Sequence, residues 1–195
     1  MYKLSKVHNL ILANIAYHVT LGQAEKDYFL SVISRKAIKR RGFLLKSGHV
    51  CKSLFYVLKG CLRVYHTDKD GIEHILLFTP EDWWCVDLYS FHTQSPASFN
   101  IDALEDTEVF ELTFEHLEKL YEKVPKFERF FRILSQNGFI MHQERVNSSL
   151  MDTAGERYEQ FQKRYPKLEQ RIAQKQIAAY LGITPVFLSM IRNKK

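Results

Sequence analysis

The spacing of apolar residues changes twice along the chain and divides it into three stretches. Residues 21–35 carry apolar side chains at three- and four-residue steps, which is the period of a helix. Between 42 and 113 the apolar residues instead lie in short β-rich runs separated by glycine and proline, which predicts several strands. From Phe114 onward the helical period returns. Strands this short and closely spaced are typical of a small barrel or sandwich, so we predict an α+β protein.

A long amphipathic helix is predicted over residues 126–149. Its apolar residues recur at three- and four-residue steps along one side, and the stripe weakens where Arg145 and Ser148 take apolar positions. One interpretation is that the stripe covers the β-rich body of its own chain. Because the helix has more aromatic surface than a single contact needs, we expect that it also joins two copies of the chain. The residues expected in this dimer interface are Phe127, Phe131, Leu134, Gly138 and Met141.

The last stretch, 172–195, has the spacing of two short helices joined by a tight turn. Gly182 can adopt the positive φ that a sharp exit from a helix requires, and Ala178 lets the second helix cross closely. Thr184 offers its hydroxyl as a helix N-cap, and Pro185 stands in a first turn, where proline loses no hydrogen bond. We therefore predict a helix-turn-helix unit whose second helix starts at Pro185.

Positive charge is concentrated in the C-terminal fifth of the chain. Residues 156–195 contain nine lysines and arginines and three glutamates, while residues 1–155 contain 19 basic and 19 acidic side chains, so the entire excess of +6 lies in this segment. A neutral body with a basic helical tail is what attraction to phosphate requires. We therefore predict binding to nucleic acid, and the alternative is a solvated helical hairpin that serves only packing.

Composition favours a cytoplasmic protein with a sizeable core. At 195 residues and 46% hydrophobic, the chain is expected to form a main domain with a small appendage. Cys51, Cys61 and Cys85 are isolated and no CxxC pair occurs, so we expect reduced core thiols and no metal centre. Residues 1–19 faintly resemble a signal peptide, but polar residues interrupt them and no cleavage site follows, which favours an ordinary helix. No apolar run reaches the length needed to span a membrane.

Five runs of sequence, taken in order, resemble the Crp/Fnr family of bacterial transcription regulators. The resemblance implies an N-terminal antiparallel β-roll (a double-stranded β-helix, jelly-roll-like) with flanking helices, a long dimerisation helix and a C-terminal helix-turn-helix. It also implies an effector domain at 1–125, a dimerisation helix at 126–151 and a DNA-binding domain at 152–195. The runs that carry it are residues 54–65, 68–78, 86–91, 102–112 and 174–184.

The effector of such a family is typically a cyclic nucleotide, whose phosphate is held by a Gly-Glu pair and, about ten residues later, by Arg-Ser or Arg-Thr. Here Val86-Asp87 and Ala97-Ser98 stand at these places, so the arginine is missing. A buried phosphate without a guanidinium forgoes a contact of roughly 2–3 kcal/mol, and we predict weak or no binding of cAMP. A pocket for another, unknown effector is expected, although aromatic residues in this region also suit a barrel core. The candidate lining residues are Trp84, Val86, Asp87, Leu88, Tyr89, Ala97 and Ser98.

The second helix of the helix-turn-helix is expected to read the major groove, while Leu188 and Ile191 point inward. Relatives commonly place arginine and glutamate at the groove positions, whereas this chain offers mainly apolar and small polar side chains. Measurable affinity with modest sequence discrimination is therefore expected. The expected groove positions are Thr184, Pro185, Val186, Ser189, Met190 and Asn193, and the expected phosphate contacts are Arg192, Lys194 and Lys195.

The resemblance thus implies a homodimeric, effector-sensing regulator that binds double-stranded DNA, with RNA polymerase as a further candidate partner, and not an enzyme. Two alternatives stay open at this point. A degenerate member of the family could act through a protein partner instead of DNA. A small β-roll could also be a metal-dependent cupin, but no His-x-His pair is present, and His66, His74 and His92 are not spaced as that site requires.

Overall fold

The computed structural model describes residues 6–193. Its strands are β1 Ser34–Ile38, β2 Phe43–Leu45, β3 Ser53–Lys59, β4 Leu62–Thr67, β5 Glu73–Thr79, β6 Trp84–Cys85, β7 Asn100–Ala103 and β8 Thr107–Thr113. Its helices are α1 Lys6–Ala16, α2 Gln23–Val32, α3 Leu88–Thr93, α4 Phe114–Lys123, α5 Lys126–Met151, α6 Ala154–Arg164, α7 Gln174–Leu181 and α8 Pro185–Asn193, with a 3₁₀ helix at Leu168–Gln170. This order confirms the predicted α+β class. The helix predicted over 21–35 is shorter, because β1 begins at Ser34.

The β-strands form the predicted roll. Within residues 6–193 they make two four-stranded sheets, in the orders β1-β8-β3-β6 and β2-β7-β4-β5. β3 pairs antiparallel with both β6 and β8, and β8 also pairs antiparallel with β1. The central strand β3 is buried from Ser53 to Val57, which explains why its sequence is apolar without alternation. Gly60 makes the turn into β4 at φ +93°. Glycine is required there because a Cβ would lie 2.5 Å from Thr107 Oγ1.

The chain packs into two compact units, and the domain boundaries at 125 and 151 stay predictions. One unit, the β-roll unit, contains residues up to 64 and 78–136. The other, the C-terminal unit, contains 65–77 and the residues from 137 onward, so the tip of the β4–β5 hairpin belongs with the helix-turn-helix. Helix α5 contributes its first half to the β-roll unit and its second half to the C-terminal unit.

The start of α5 packs into an aromatic core of the β-roll unit. Phe127 is fully buried and stacks on Phe29 of α2 at 4.9 Å between ring centroids. Phe131 contacts Trp84 edge-on at 5.3 Å, and Phe130 lies 5.9 Å from the same indole. These rings hold α5 to its own chain. Phe127 and Phe131 were predicted to lie in a dimer interface, and they are 0% and 8% exposed in the single chain. Their burial fits the alternative interpretation, in which this part of the stripe covers the body of its own chain, and their role in a dimer stays a prediction.

The rest of the predicted stripe follows the same inward side of α5. Leu134, Gly138 and Met141 are half-buried, and Ser148 is buried. A different side of the helix carries large exposed apolar side chains. Phe139, Val146 and Leu150 are 70%, 57% and 77% exposed, and they are spaced by seven and four residues, so they lie along one face. The predicted interface residues and these exposed residues thus lie on different sides of α5, and the second set was not predicted.

The C-terminal unit has its own small core of aromatic rings. Tyr158 and Phe161 on α6 are buried, and Phe161 lies 5.5 Å from Tyr180 of α7. Helix α6 begins with a capping box, in which Thr153 Oγ1 accepts from Glu156 N–H while the Glu156 carboxylate accepts from Thr153 N–H. The cap marks where the chain leaves α5 and starts the helix that supports the helix-turn-helix. Within residues 6–193 no helix is both long and apolar enough to cross a membrane.

Candidate nucleic-acid interface and effector region

The turn between α7 and α8 has the geometry that its sequence predicts. Gly182 ends α7 in the left-handed region at φ 67°, and Ile183 N–H closes the turn on Ala178 O at 3.0 Å. Thr184 Oγ1 then accepts from Phe187 N–H at 3.1 Å, as an N-cap should, and α8 starts at Pro185. The chain therefore turns sharply with its backbone groups paired.

The two helices of this motif bury one face each. On α7 the buried residues include Ile177, Ala178 and Leu181, and on α8 Leu188 is fully buried. Ile191 is half-buried on the same side, in keeping with its predicted inward position. Tyr180 contacts Phe161 and Tyr165, so α7 rests on the aromatic core of α6. This packing fixes which side of α8 is left outward.

The outward side of α8 contains the residues expected to face the groove. Val186 and Met190 are 66% and 56% exposed, Thr184, Pro185 and Asn193 are exposed, and Ser189 is half-buried. Phe187 is also exposed, which the sequence analysis missed. It follows Val186 on the first turn of the helix, and its position three residues after the N-cap was the available signal. The outward face is therefore more apolar than expected.

Two arginines of the basic tail are paired with carboxylates of their own chain. Arg192 Nε lies 3.2 Å from Glu169 Oε1, and Arg164 Nη2 lies 2.9 Å from Glu144 Oε2. Glu169 also accepts from Tyr158 and from Gln162. Arg192 thus ties α8 to the 3₁₀ helix, and its contact with phosphate stays a prediction. Lys194 and Lys195 lie outside the described residues.

Exposed lysines remain around the motif. Lys163, Lys167 and Lys175 are exposed on α6, at the start of the 3₁₀ helix and on α7. Lysines with exposed ammonium groups suit phosphate contacts, which need a positive charge and little directional geometry. Among the described residues of α6, the 3₁₀ turn and α7, lysines therefore supply exposed positive charge beside the predicted contacts Arg192, Lys194 and Lys195.

The expected effector region is tied together by hydrogen bonds around α3. Asp87 caps this helix by accepting from Ser90 N–H at 3.0 Å, and its other carboxylate oxygen, Oδ2, is buried without a hydrogen-bond partner. Ser90 Oγ accepts from Cys51 N–H at 2.8 Å and donates to Ser95 O at 2.6 Å. Ala97 is buried and pairs through its backbone with residues 48 and 49.

The remaining candidates of this region point in different directions. Trp84 belongs to the aromatic core, where its Nε1–H donates to Asn14 Oδ1 at 3.1 Å. Leu88, Tyr89 and Ser98 are exposed, and Val86 is half-buried. The structure therefore brings Asp87 and Ala97 into one hydrogen-bonded neighbourhood and assigns Trp84 to packing.

The cysteine thiols behave as core groups. Cys51, Cys61 and Cys85 are free and buried. Burial raises the pKa of Cys85 to about 12, so the thiolate needed for redox or metal chemistry is disfavoured. Within residues 6–193 no group of three or more histidine, cysteine, aspartate and glutamate side chains is arranged to hold a metal ion.

Comparison with known proteins identifies relatives for most of the chain. A model of the cyclic nucleotide-binding domain family matches residues 35–124. Electron transport regulator A of Shewanella oneidensis is 30% identical over 143 residues, which are 71% of this chain and 55% of that protein. The transcriptional activator protein anr of Pseudomonas aeruginosa is 30% identical over 129 residues, which are 64% of this chain and 51% of that protein. The chain spans about half the length of the curated relatives it matches.

Solved structures share the fold. FixK2 from Bradyrhizobium japonicum matches with a TM-score of 0.72 at 19% identity, over 84% of each chain. The c-di-GMP-responsive global regulator CLP of Xanthomonas campestris also matches with a TM-score of 0.72, at 13% identity, over 89% of this chain and 91% of that one. These identities are low, so the two structures support the architecture alone. The matched domain and the curated relatives support membership of the Crp/Fnr family, and the architecture agrees with them.

Proposed function

We propose that the protein is a DNA-binding transcription regulator that works as a homodimer and does not take cAMP as its effector. The observation that carries the proposal is the outward face of α8. Thr184, Val186, Met190 and Asn193 are exposed on it, while the inward face is packed against α7. A helix held in this way by its partner helix can enter a major groove without unfolding anything.

The chemistry of that face suits limited reading of bases. Val186 and Met190 can make apolar contact with thymine methyl groups, and Phe187 extends the same surface. Ser189 and Asn193 are the remaining side chains that can hydrogen-bond to base edges. We therefore expect a preference for thymine-containing sites with modest discrimination, and an affinity that depends strongly on salt because lysines contact phosphates.

The proposed dimer forms through the outward stripe of α5. Phe139, Val146 and Leu150 follow the seven- and four-residue spacing of a helix pair, and each exposes more than half of its surface in the single chain. Leaving three large apolar side chains in water on one helix face is costly, and a second copy would bury them. Two helix-turn-helix units joined in this way would bind a roughly palindromic site.

The exclusion of cAMP rests on the missing arginine. The family cassette supplies a guanidinium to the phosphate, whereas this chain has Ala97 at that place, and Ala97 is buried. A cyclic phosphate that enters this region would lose its contacts with water without gaining a charge-assisted, bidentate partner. Isothermal titration of the protein with cAMP should therefore show no binding in the micromolar range, and micromolar affinity would contradict this part of the proposal.

Gel shifts on genomic fragments test the DNA-binding proposal. We expect retardation at low salt, about 50 mM, and a steep loss of affinity as salt increases. Met190→Asp places a negative charge on the outward face of α8 and should weaken binding about tenfold or more. The matched control is Tyr17→Asp, which puts the same charge at an exposed site of the β-roll unit and should leave binding unchanged.

The lysines give a second readout in the same experiment. Replacing Lys163 and Lys175 by glutamine should reduce the salt slope by about 1 for each lysine that contacts a phosphate, without changing which fragments are preferred. Absence of retardation at low salt by a folded dimer would contradict the proposal. If Met190→Asp then abolished capture of a protein partner, regulation through that partner would replace it.

A further inference from the structure

The C-terminal unit contains a cavity of about 320 Å³. It lies between the second half of α5, helix α6, the end of α7 and residues 74–75 of the β4–β5 hairpin, all of which belong to this unit. Cavities of this volume accept small molecules. None of the residues predicted for effector or DNA binding lines it.

The lining of this cavity is cationic. Among the described residues that line it there is no aspartate or glutamate, while three arginines, two serine hydroxyls and one glutamine amide are present. His74 also borders the cavity and is paired with Asp68 at 2.7 Å. The cationic and polar lining residues on the helices are Arg145, Arg157, Arg164, Ser148, Ser149 and Gln160.

Arg145 carries its charge without a carboxylate partner. Its guanidinium donates to the carbonyls of Leu76, Ile75 and Tyr180, the last two at 2.6 and 2.8 Å, and stacks 3.9 Å from the centre of the Tyr180 ring. Carbonyl dipoles orient a guanidinium but leave its net charge in place. Burial lowers the pKa of Arg145, and burial together with the charges of Arg145 and Arg164 lowers the pKa of the neighbouring His142.

Arg157 adds a hydrogen-bond donor that is not used. Its Nη1 donates to Asp152 O at 2.8 Å, but its Nε–H is buried and has no hydrogen-bond partner among the described residues. A buried donor left unpaired costs roughly 1–3 kcal/mol, and native structures seldom keep one without a reason. Arg164, in contrast, is satisfied by Glu144.

We propose that this cavity binds a small molecule through a phosphate group. Arg145 and Arg157 supply two positive charges, and neither forms an ion pair with a carboxylate among the described residues, although the charge of Arg157 also acts on the nearby Asp152. Two such charges match the double charge of a phosphate monoester near neutral pH. Guanidinium groups are donors that phosphate oxygens accept from, and the Arg157 Nε–H has no partner in the described part of the chain. The other polar groups of the lining already donate within the chain: Ser148 Oγ to Gln160 Oε1, Ser149 Oγ to Val146 O and Gln160 Nε2 to Asp152 Oδ2. The remaining volume accommodates an attached group of the size of a sugar.

Such a ligand would contact four elements of the C-terminal unit at once. Through Arg145 it is linked to the β4–β5 hairpin and to the last turn of α7, the first helix of the helix-turn-helix. Binding would therefore stabilise one arrangement of this unit and could bias its affinity for DNA. The binding itself does not depend on the proposed DNA-binding function and is measured without DNA.

Titration calorimetry and thermal unfolding of the full chain test the site, with inorganic phosphate and ribose 5-phosphate as probes. Both should bind and raise the unfolding midpoint, at concentrations up to about 10 mM, while sodium chloride at matched ionic strength should not. Tighter binding of ribose 5-phosphate would show that the sugar is also contacted, and equal affinity would show that phosphate alone is recognised. Both outcomes support the site.

Substitution of Arg157 separates this site from general charge effects. Arg157→Gln should lower the affinity for phosphate at least tenfold. Arg157→Lys keeps the positive charge but loses the paired N–H donors of the guanidinium, so its affinity should lie between those of the wild type and Arg157→Gln. The matched control is Arg132→Gln, an exposed arginine of α5 in the β-roll unit, which should bind as the wild type does. Circular dichroism should first show that Arg157→Gln is folded. The proposal is overturned if neither probe binds the wild type. It is also overturned if Arg157→Gln binds both probes as tightly as Arg132→Gln does.

Discussion

Arg63 in the β-roll unit and Arg145 in the C-terminal unit are both largely buried, but their charges are balanced differently. Arg63 Nε and Nη2 donate to the two oxygens of Asp102 at 2.7 and 3.0 Å, so the charge is neutralised where it lies. Arg145 meets only carbonyl oxygens and the Tyr180 ring. The buried arginine of the β-roll unit is therefore neutralised by its own chain, whereas the buried arginine of the C-terminal unit keeps a charge that a bound anion would balance. This difference is what the two proposals for the C-terminal unit require.

Breaking the buried pair of the β-roll unit should have the largest effect. Arg63→Met leaves the Asp102 carboxylate buried and unpaired, which should lower the free energy of unfolding by about 3–5 kcal/mol in urea titrations. The control is Arg35→Met, which removes an exposed pair with Glu108 and should cost about 0–1 kcal/mol. If both variants lost the same free energy of unfolding, the buried pair of Arg63 and Asp102 would contribute no more than an exposed pair.

The two faces of α5 offer the next largest contrast. Phe127→Ala removes a ring that is fully buried and should cost about 3–4 kcal/mol of unfolding free energy, because the surrounding phenylalanines can relax only in part. Phe139→Ala removes an exposed ring of the same helix and should leave the stability of the single chain nearly unchanged. Sedimentation equilibrium should instead show that Phe139→Ala weakens the dimer. If neither Phe139→Ala nor Leu150→Ala weakens the dimer, the interface lies elsewhere.

These two faces also show where the sequence predicts well and where it does not. The helix-turn-helix could be predicted because its signals are local: Gly182, Thr184 and Pro185 each need only their neighbours to act. The side of α5 that faces the chain could not, because two apolar stripes share one helix and only the tertiary partners distinguish them. Arg145 and Ser148 interrupt the inward stripe, and this interruption was the sign that the stripe stops being ordinary core there.

The effector region and the cavity depend on contacts between distant parts of the chain. In the sequence, Trp84 could line a pocket or pack in the core, because aromatic side chains suit both roles. Its contacts with Asn14 and Phe131 assign it to the core. The residues that line the cavity are scattered between positions 74 and 182, and no spacing in the sequence predicts that they lie close together. The pairing of Arg192 with Glu169 was equally hidden, because a run of basic residues does not show which carboxylates approach it.

Removing Arg145 should have an intermediate effect. Arg145→Met leaves carbonyls of the hairpin and of α7 without their donor, which should cost about 1–3 kcal/mol, but it strands no buried carboxylate. The loss should therefore be smaller than for Arg63→Met. Phosphate should stabilise the wild type more than Arg145→Met in thermal unfolding, whereas it should act equally on the wild type and Arg132→Met. If Arg145→Met lowered the free energy of unfolding as much as Arg63→Met, the two buried arginines would not differ in how their charges are balanced.

Titration of His142 should give the smallest effect and the most specific one. Burial and the nearby Arg145 and Arg164 hold its pKa below the ordinary value of 6.5 in the folded chain. The unfolded chain therefore takes up a proton first as pH falls, so stability should be complete above pH 6.5 and should decrease as pH falls through the folded pKa. Carboxylates such as Glu25, whose pKa is lowered from 4.5 by hydrogen bonds from Lys126 and Gly22, respond only at lower pH.

Thermal unfolding of His142→Gln across this window separates the histidine from the remaining groups. The variant should lose less stability than the wild type between pH 6.5 and 4.5, while His49→Gln, at an exposed site of the β-roll unit, should follow the wild type. If phosphate occupies the cavity, its negative charge should raise the pKa of His142 toward the ordinary value. The wild-type decrease between pH 6.5 and 4.5 should then become shallower in phosphate than in chloride, and an unchanged decrease would mean that phosphate does not reach these arginines.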